Sequence, residues 1–583
     1  MDSAHKLNAL RQCMQQHDID YYYVPSADAH NNEYVPPTWQ RRSWLTNFTG
    51  SAGDAFIGLD QAYLWTDARY FLQAEQQLDL SVFSLMKQQQ GMAPPIISWL
   101  ADHAKQKRIG VDPRMMNCAA AKKWQEVLHE NGSELVSIEE NLIDTIWKDQ
   151  PILKSKTISL WPEEHAGRTT LEKISILRDA LKTDAHVITM LDAIAWLLNI
   201  RGQDIQFNPL VISYLIVTQD TVTLFVDEKK LDAHTKAYFS KYHINIQPYD
   251  NFKEYLNTLT GSVLLEGNTA SWWVQQELKN ATPVIGKSPI TLMKAIKNKT
   301  EQDGMHEAHR KDALALCQLL CSLEKNWRGE TELSVSKMAL DYRAQQPDFK
   351  GLSFETISSY ADHGAIIHYA VSEKTNVDVG DQSLYLLDSG GQYLQGTTDI
   401  TRTFHLGTPT EEQKKHYTLV LKGHLGLRHT VFPKGTTGEQ IDMIAHRALW
   451  QHGLDYGHGT GHGVGCFLCV HEGPQRISRA ASGVALEAGM VVSNEPGLYF
   501  AGKYGIRIEN LLLIKEVFDG EYLAFEDLTK VPYAHQLIDT NLLSKDEILA
   551  INNYHQEVHD LLCKDLPNET AAWLKDATKP LPR

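Results

Sequence analysis

Long apolar runs are absent from this chain of 583 residues: the longest, such as Ala193 to Leu198, fall far short of the roughly 20 residues that a membrane-crossing helix needs. The first twenty residues, MDSAHKLNALRQCMQQHDID, contain no apolar signal core, so a soluble, cytoplasmic protein is expected. Cysteine is scarce, seven residues scattered over the chain and odd in number, which argues for a reducing compartment rather than a disulfide framework. Positive charge is in deficit: 56 Lys and Arg against 72 Asp and Glu leave a formal net charge of −16. That balance argues against a nucleic-acid backbone or an anionic membrane as main partner. No G-x-G-x-x-G or G-x-x-x-x-G-K-[ST] loop opens a suitable helix, which argues against a nucleotide cofactor. Cys466 and Cys469 form a C-x-x-C with no second pair and are read as ordinary strand residues; Cys317 and Cys321 are read as helix core.

What is present is an ordinary globular composition, 43% hydrophobic and 22% charged, long enough for three or four domains with cores of their own. A helical pattern over 5–17, a strand in DYYYVP and hairpin strands in GSAGDAFIGL and AYLWTDARYF open an α/β domain, 1–155. WPEEHAG (161–167) and the helical TTLEKISILRDALKTD open a second α/β domain, 156–298. There LDAIAWLLNIRG followed by VTLFVDEKKLDA repeats the order of RRSWLTNFTG followed by AYLWTDARYFLQA, so the two domains read as diverged copies of one fold. Acids follow Thr300 in the first turn of a helix with Leu316, Leu319, Leu320 and Leu323 on one face. From 299 to 525 the texture is α+β: strand segments FETISSY, AIIHYAV, SLYLLDSGG and TTDITRTFHLG, helices at 411–430 and 436–453, then more strands. Polar helices make up an extension, 526–583.

Five side chains of the α+β domain stand out: Asp388, Asp399, His462, Glu495 and Glu509. A Gly-Gly turn between Asp388 and Asp399 lets both face one point from adjacent strands. Arg507 and Glu509 share a face of the alternating GIRIEN segment. Four carboxylates and one imidazole are costly to withdraw from water without cations. So oxygen-rich a set exceeds one tetrahedral zinc site and suits a pair of bridged divalent ions, an arrangement usually associated with hydrolysis.

In order, Asp388-Ser-Gly, Thr398-Asp399, His458-Gly-Thr-Gly-His462-Gly-Val-Gly, Val470-His471-Glu472-Gly-Pro474, Asn494-Glu495-Pro-Gly and Gly505-Ile-Arg-Ile-Glu509 resemble the pita-bread metallopeptidases. More closely the chain resembles the long, three-domain Xaa-Pro aminopeptidases; DAHNNEY (28–34), WTDARYF (65–71) and ISSYADHGAIIHYAV (357–371) extend the likeness over nearly the whole chain. The resemblance implies two creatinase-like α/β domains ahead of a pita-bread catalytic domain. It implies two divalent ions, manganese by preference with zinc or cobalt possible, on Asp388, Asp399, His462, Glu495 and Glu509, with Asp399 and Glu509 bridging. A hydroxide between the ions would attack the bond before a penultimate proline. His368 would contact substrate and shuttle a proton, His458 would line the pocket, His471 would bond the scissile carbonyl, and Glu495 would accept a proton. Tyr499 and Arg507 would orient carboxylates and substrate, and Arg69 would reach toward the peptide. A homodimer acting on proline-second peptides is expected. Three other readings remain: a prolidase restricted to dipeptides, a non-catalytic peptide-binding module, and a creatinase-like amidinohydrolase.

Overall fold

The structure, a computed structural model, describes residues 2–88 and 92–582. Two compact units account for it, one of residues 1–161 and 168–291, the other of 162–167 and 292–583.

The first unit contains two six-stranded sheets. In one, Tyr21–Val24, Asp54–Gly58, Ala62–Thr66, Ser84–Lys87, Arg108–Val111 and Glu134–Ser137 lie in the order four-three-two-one-five-six. In the other, Ala185–Ile188, Ser213–Thr218, Val222–Val226, Ile244–Gln247, Gly261–Glu266 and Ala281–Gly286 take the same order. Strand directions match as well: one-two and two-three are antiparallel, and three-four, one-five and five-six are parallel in both. The parallel members need covering on both faces, which explains their apolar texture; Val222–Val226, for instance, is buried at every position.

Pro162–Gly167 goes with the second unit, where the Asn298 side chain donates to the Ala166 carbonyl at 2.9 Å. Gly167 adopts φ +67°, and a Cβ there would lie 2.4 Å from Asn298 Oδ1. Asn298 also caps the helix Lys299–Asn326, whose capping box is completed by Glu301 and whose Leu316, Leu319, Leu320 and Leu323 are buried.

In this second unit, Ile357–Tyr360, Leu384–Ser389 and Ile400–His405 form one antiparallel sheet. Val431–Pro433, Tyr522–Asp527, Asn510–Val517 and Val491–Asn494 form another. Helices Glu411–Arg428 and Gly438–Trp450 pack together, and Lys545–Leu562 and Asn568–Ala577 complete the unit. Ile548, Ile551, Tyr554, Val558, Leu562 and Leu574 of these last two helices belong to the same core as Leu316 and Leu319, so the extension is part of the body.

Two expected strands are absent. AIIHYAV follows a 3₁₀ turn, Ala361–Ala365, and continues as an irregular loop. The buried Glu332 carboxylate takes the place of a ladder: it accepts from the Tyr360 amide (2.7 Å), His363 Nδ1 (2.8 Å) and the Tyr369 hydroxyl (2.9 Å). Residues 465–469 form a tight turn closed by the Gly465 amide on the Cys469 carbonyl at 2.9 Å, with Phe467 at φ +51°. Cys466 and Cys469 therefore sit on a turn, not on a strand.

Candidate metal centre

Asp388 is the penultimate residue of the strand Leu384–Ser389 and pairs across the sheet with Thr401. Asp399 immediately precedes the strand Ile400–His405, and alternation places Asp399, Thr401 and Thr403 on one side of it. Thr401 Oγ1 donates to Glu509 Oε2 at 2.8 Å, while the Glu509 amide donates to the Thr401 carbonyl at 3.1 Å. Glu509 occupies the link between the strands Tyr504–Arg507 and Asn510–Val517. His462 ends the two-residue strand Gly461–His462, its amide held by Ser493 Oγ at 2.9 Å. The Glu495 amide donates to the Thr460 carbonyl at 2.8 Å, so the stretch carrying His458 and His462 lies alongside the one carrying Glu495.

These placements gather the five side chains. Donor atoms of Asp388, Asp399 and Glu509 lie within 4.8 Å of one another, and so do those of His462, Glu495 and Glu509. Glu509 belongs to both sets, as a bridging ligand would. A third set, Asp399, His462 and His471, meets the same limit, so His471 stands close enough to join the donors themselves.

The electrostatics fit cations. Burial, aided by the Asp399 charge and opposed by Arg507, pushes the Asp388 carboxyl up to about 6. Burial lifts Glu495 to about 7 and, reinforced by Asp399, Glu495 and Asp388, holds Glu509 well above the usual carboxylate range. Burial opposes charge on His462, but its hydrogen bond with Asp399 and the Glu495 carboxylate outweigh it and lift the imidazole to about 9. Its Nε2 lies 3.4 Å from Asp399 Oδ2 and 3.5 Å from Glu495 Oε1. Its Nδ1 must donate to the Gly463 carbonyl at 2.9 Å, which leaves Nε2 as the ligating lone pair once a cation replaces the proton. Asp388 Oδ1 and Glu509 Oε1 are buried without a hydrogen-bond partner. Orphaned carboxylate oxygens, mutual repulsion and one oriented imidazole match a pair of hard divalent ions.

Arg507 is fully buried and organises the rim. Its Nη2 donates to Asp388 Oδ2 at 2.5 Å, its Nε to Thr401 Oγ1 at 3.2 Å and its Nη1 to the Tyr499 hydroxyl at 2.9 Å. His458 Nδ1 donates to the Gly459 carbonyl, so its Nε2 accepts from the Tyr499 hydroxyl at 2.8 Å. The result is a directed chain, Arg507 to Tyr499 to His458. His471 meets His462 edge to face, ring centres 4.4 Å apart at 86°. His368 is partly exposed on the loop after Ala361–Ala365. Arg69 belongs to the other compact unit, where Asp67 holds its Nε and Nη2 at 2.8 Å each. Thr401 and Ser493 escaped the sequence reading. The alternation in TTDITRT was the available signal for Thr401, but threonine is too common in strands to mark chemistry.

Comparison with known proteins covers the whole chain. Residues 303–516 match metallopeptidase family M24, 6–146 and 149–301 each match the creatinase/prolidase N-terminal domain, and 521–581 match the C-terminal region of peptidase M24. A probable Xaa-Pro aminopeptidase P of Laccaria bicolor is 42% identical, covering 100% of this chain and 94% of the relative. One from Penicillium rubens is 41% identical over 100% and 99%. Among solved structures, X-prolyl aminopeptidase from Caenorhabditis elegans, described as a cytosolic enzyme with a di-nuclear active site, superposes with a TM-score of 0.96 at 36% identity, covering 100% of both chains. The prolidase of Pyrococcus furiosus reaches a TM-score of 0.50 at 25% identity, over 61% of this chain and 99% of its own.

Proposed function

Since the chain belongs to the Xaa-Pro aminopeptidase P family of M24 metallopeptidases, with two creatinase-type domains ahead of the catalytic one, we propose that it removes the first residue from peptides whose second residue is proline. The observation that carries this reading is the pair of donor sets sharing Glu509. Asp388, Asp399 and Glu509 would hold one divalent ion, and His462, Glu495 and Glu509 the other, with Asp399 as the second bridge. Manganese suits the oxygen-rich set best, with zinc or cobalt as substitutes. When bound, such a pair would supply Lewis acidity, making water a stronger nucleophile and the scissile carbonyl a better electrophile.

The chain's own residues do the rest. Glu495 takes a proton at a carboxylate oxygen and returns it. Arg507 neutralises part of the charge on Asp388 and, through Tyr499, fixes the tautomer and direction of His458. His471 donates to the carbonyl oxygen as it gains charge. His368 meets the substrate. Proline in the second position lacks an amide hydrogen and stiffens the residue before it, so recognition rests on shape and on these imidazoles. The setting is the cytoplasm, in keeping with the cytosolic C. elegans relative. The working form is a homodimer, which static light scattering of the purified protein checks.

Hydrolysis of a panel of proline-second peptides by chelator-stripped protein, with and without Mn²⁺, tests the reading. Release of the first residue from tripeptides and longer substrates only after Mn²⁺ addition is expected. Cleavage of dipeptides alone would instead establish a prolidase, and no cleavage with no bound metal a peptide-binding module.

A further inference from the structure

Behind the imidazoles lies a group of charges that the reaction itself does not use. Glu472, next in sequence to His471, places Oε1 3.1 Å from Lys294 Nζ and 3.5 Å from Lys297 Nζ, and all three side chains are 1% exposed. Lys297 is fixed in turn: its Nζ donates to the Lys294 carbonyl at 3.2 Å and its amide to the Gly489 carbonyl at 2.9 Å. Burying one carboxylate with two ammonium groups is costly, and packed apolar residues would fill the space with equal or greater stability. What such a cluster adds is a single permitted register.

The register matters because of what the neighbouring residues do. The Glu472 amide donates to the Gly463 carbonyl at 2.8 Å, and the Gly463 amide donates to the Gln475 carbonyl at 3.1 Å. His462 and His471 thus ride on two segments stitched together directly beside Glu472. A Cβ at Gly463 would lie 2.0 Å from the Glu472 carbonyl oxygen, and one at Gly465 2.5 Å from Glu472 Oε2, so the fit is close on both sides. With the neighbouring carboxylate locked onto the lysines, the His471 ring rests against His462, ring centres 4.4 Å apart.

We propose that Glu472, clamped by Lys294 and Lys297, is a positioning residue that fixes His471, and with it His462, for catalysis. This rests on the reading that His471 acts on the substrate carbonyl. The test uses full-length, Mn²⁺-loaded protein and proline-second tripeptides. Glu472→Gln, the same shape without the charge, is expected to lower kcat at least tenfold while KM changes less than threefold, in protein that circular dichroism shows to be folded and that still takes up two equivalents of Mn²⁺. Removing one ammonium as well, in the double variant Glu472→Gln with Lys297→Met, is expected to recover part of kcat. Full turnover by Glu472→Gln, or a kcat loss that the double variant leaves unmoved, would overturn the proposal. If Glu472→Gln fails to fold, Lys294→Met, which keeps the Lys297 pair, is expected to lower kcat threefold or more at constant KM; an unchanged kcat would overturn it. His471→Ala runs alongside as the control on the underlying reading: normal kcat there would remove that reading, whereas loss there with none in Glu472→Gln removes only the role of Glu472.

Discussion

Two duties are proposed for Glu495, ligand and proton acceptor, and its amide analogue separates them. Glu495→Gln keeps the shape and one ligating oxygen but cannot hold a proton, so kcat is expected to fall by about 10²-fold or more with the unfolding midpoint retained. Near-normal turnover after saturation with Mn²⁺ would rule out the proton role. The five proposed ligands could be picked out in the sequence because they stand together in an ordered series of motifs; any one Asp, Glu or His at a strand end would have been unremarkable. The groups that tune them could not. Thr401, which donates to Glu509, and Ser493, which holds the His462 amide, are residue types that strands use everywhere. Their importance comes from distance alone.

At the scale of elements, the loop carrying His368 is pinned from two sides. On one, a Cβ at Gly505 would fall 1.7 Å from the Gly364 carbonyl oxygen, so the 3₁₀ turn and the strand leading to Arg507 meet backbone to backbone. Gly505→Ala is expected to cost about 2–3 kcal/mol of stability, read from urea unfolding, because neither backbone can yield without moving the other. On the other side stands the Glu332–His363 pair. The hydrogen bond to Glu332 raises the His363 pKa above its ordinary 6.5, burial opposing and the Glu332 and Asp362 charges adding. The folded state therefore binds the proton more tightly than the unfolded chain. The resulting stabilisation is complete below about pH 6.5 and disappears as pH rises through the folded value. His363→Gln is accordingly expected to be less stable than the parent at pH 5.5, with the gap narrowing by pH 9; a gap that widens with pH would reverse the assignment. Sequence texture misread this segment as a strand, since apolar AIIHYAV carries the right composition and only the distant Glu332 shows why it does not pair.

For the whole molecule, duplication was visible where order survives divergence: the Trp-Leu segment, strand, acid and helix recur, and the two sheets share one strand order and one set of directions. The compact units were less visible. Pro162–Gly167 folds with residues more than a hundred positions away, and composition records nothing of that. The same holds for the tail. Arg402 is buried, and its donors reach the Thr401 and Glu509 carbonyls (2.9 and 2.6 Å), Asn510 Oδ1 (2.8 Å), the Pro532 and Val531 carbonyls (3.2 and 2.7 Å) and the Tyr554 hydroxyl (3.2 Å). One guanidinium thus fastens the backbone of a proposed metal ligand to the final helices. Deleting residues from Lys545 onward is expected to weaken Mn²⁺ binding tenfold or more in calorimetric titration of any protein that remains folded, although no ligand is removed.

Faults in the carboxyl-terminal helices should therefore masquerade as metal deficiency. A substitution that frays the helix around Tyr554 would yield protein that looks under-loaded on purification and regains turnover when manganese is supplied in excess, an outcome that a search confined to the donor residues would never trace to its source.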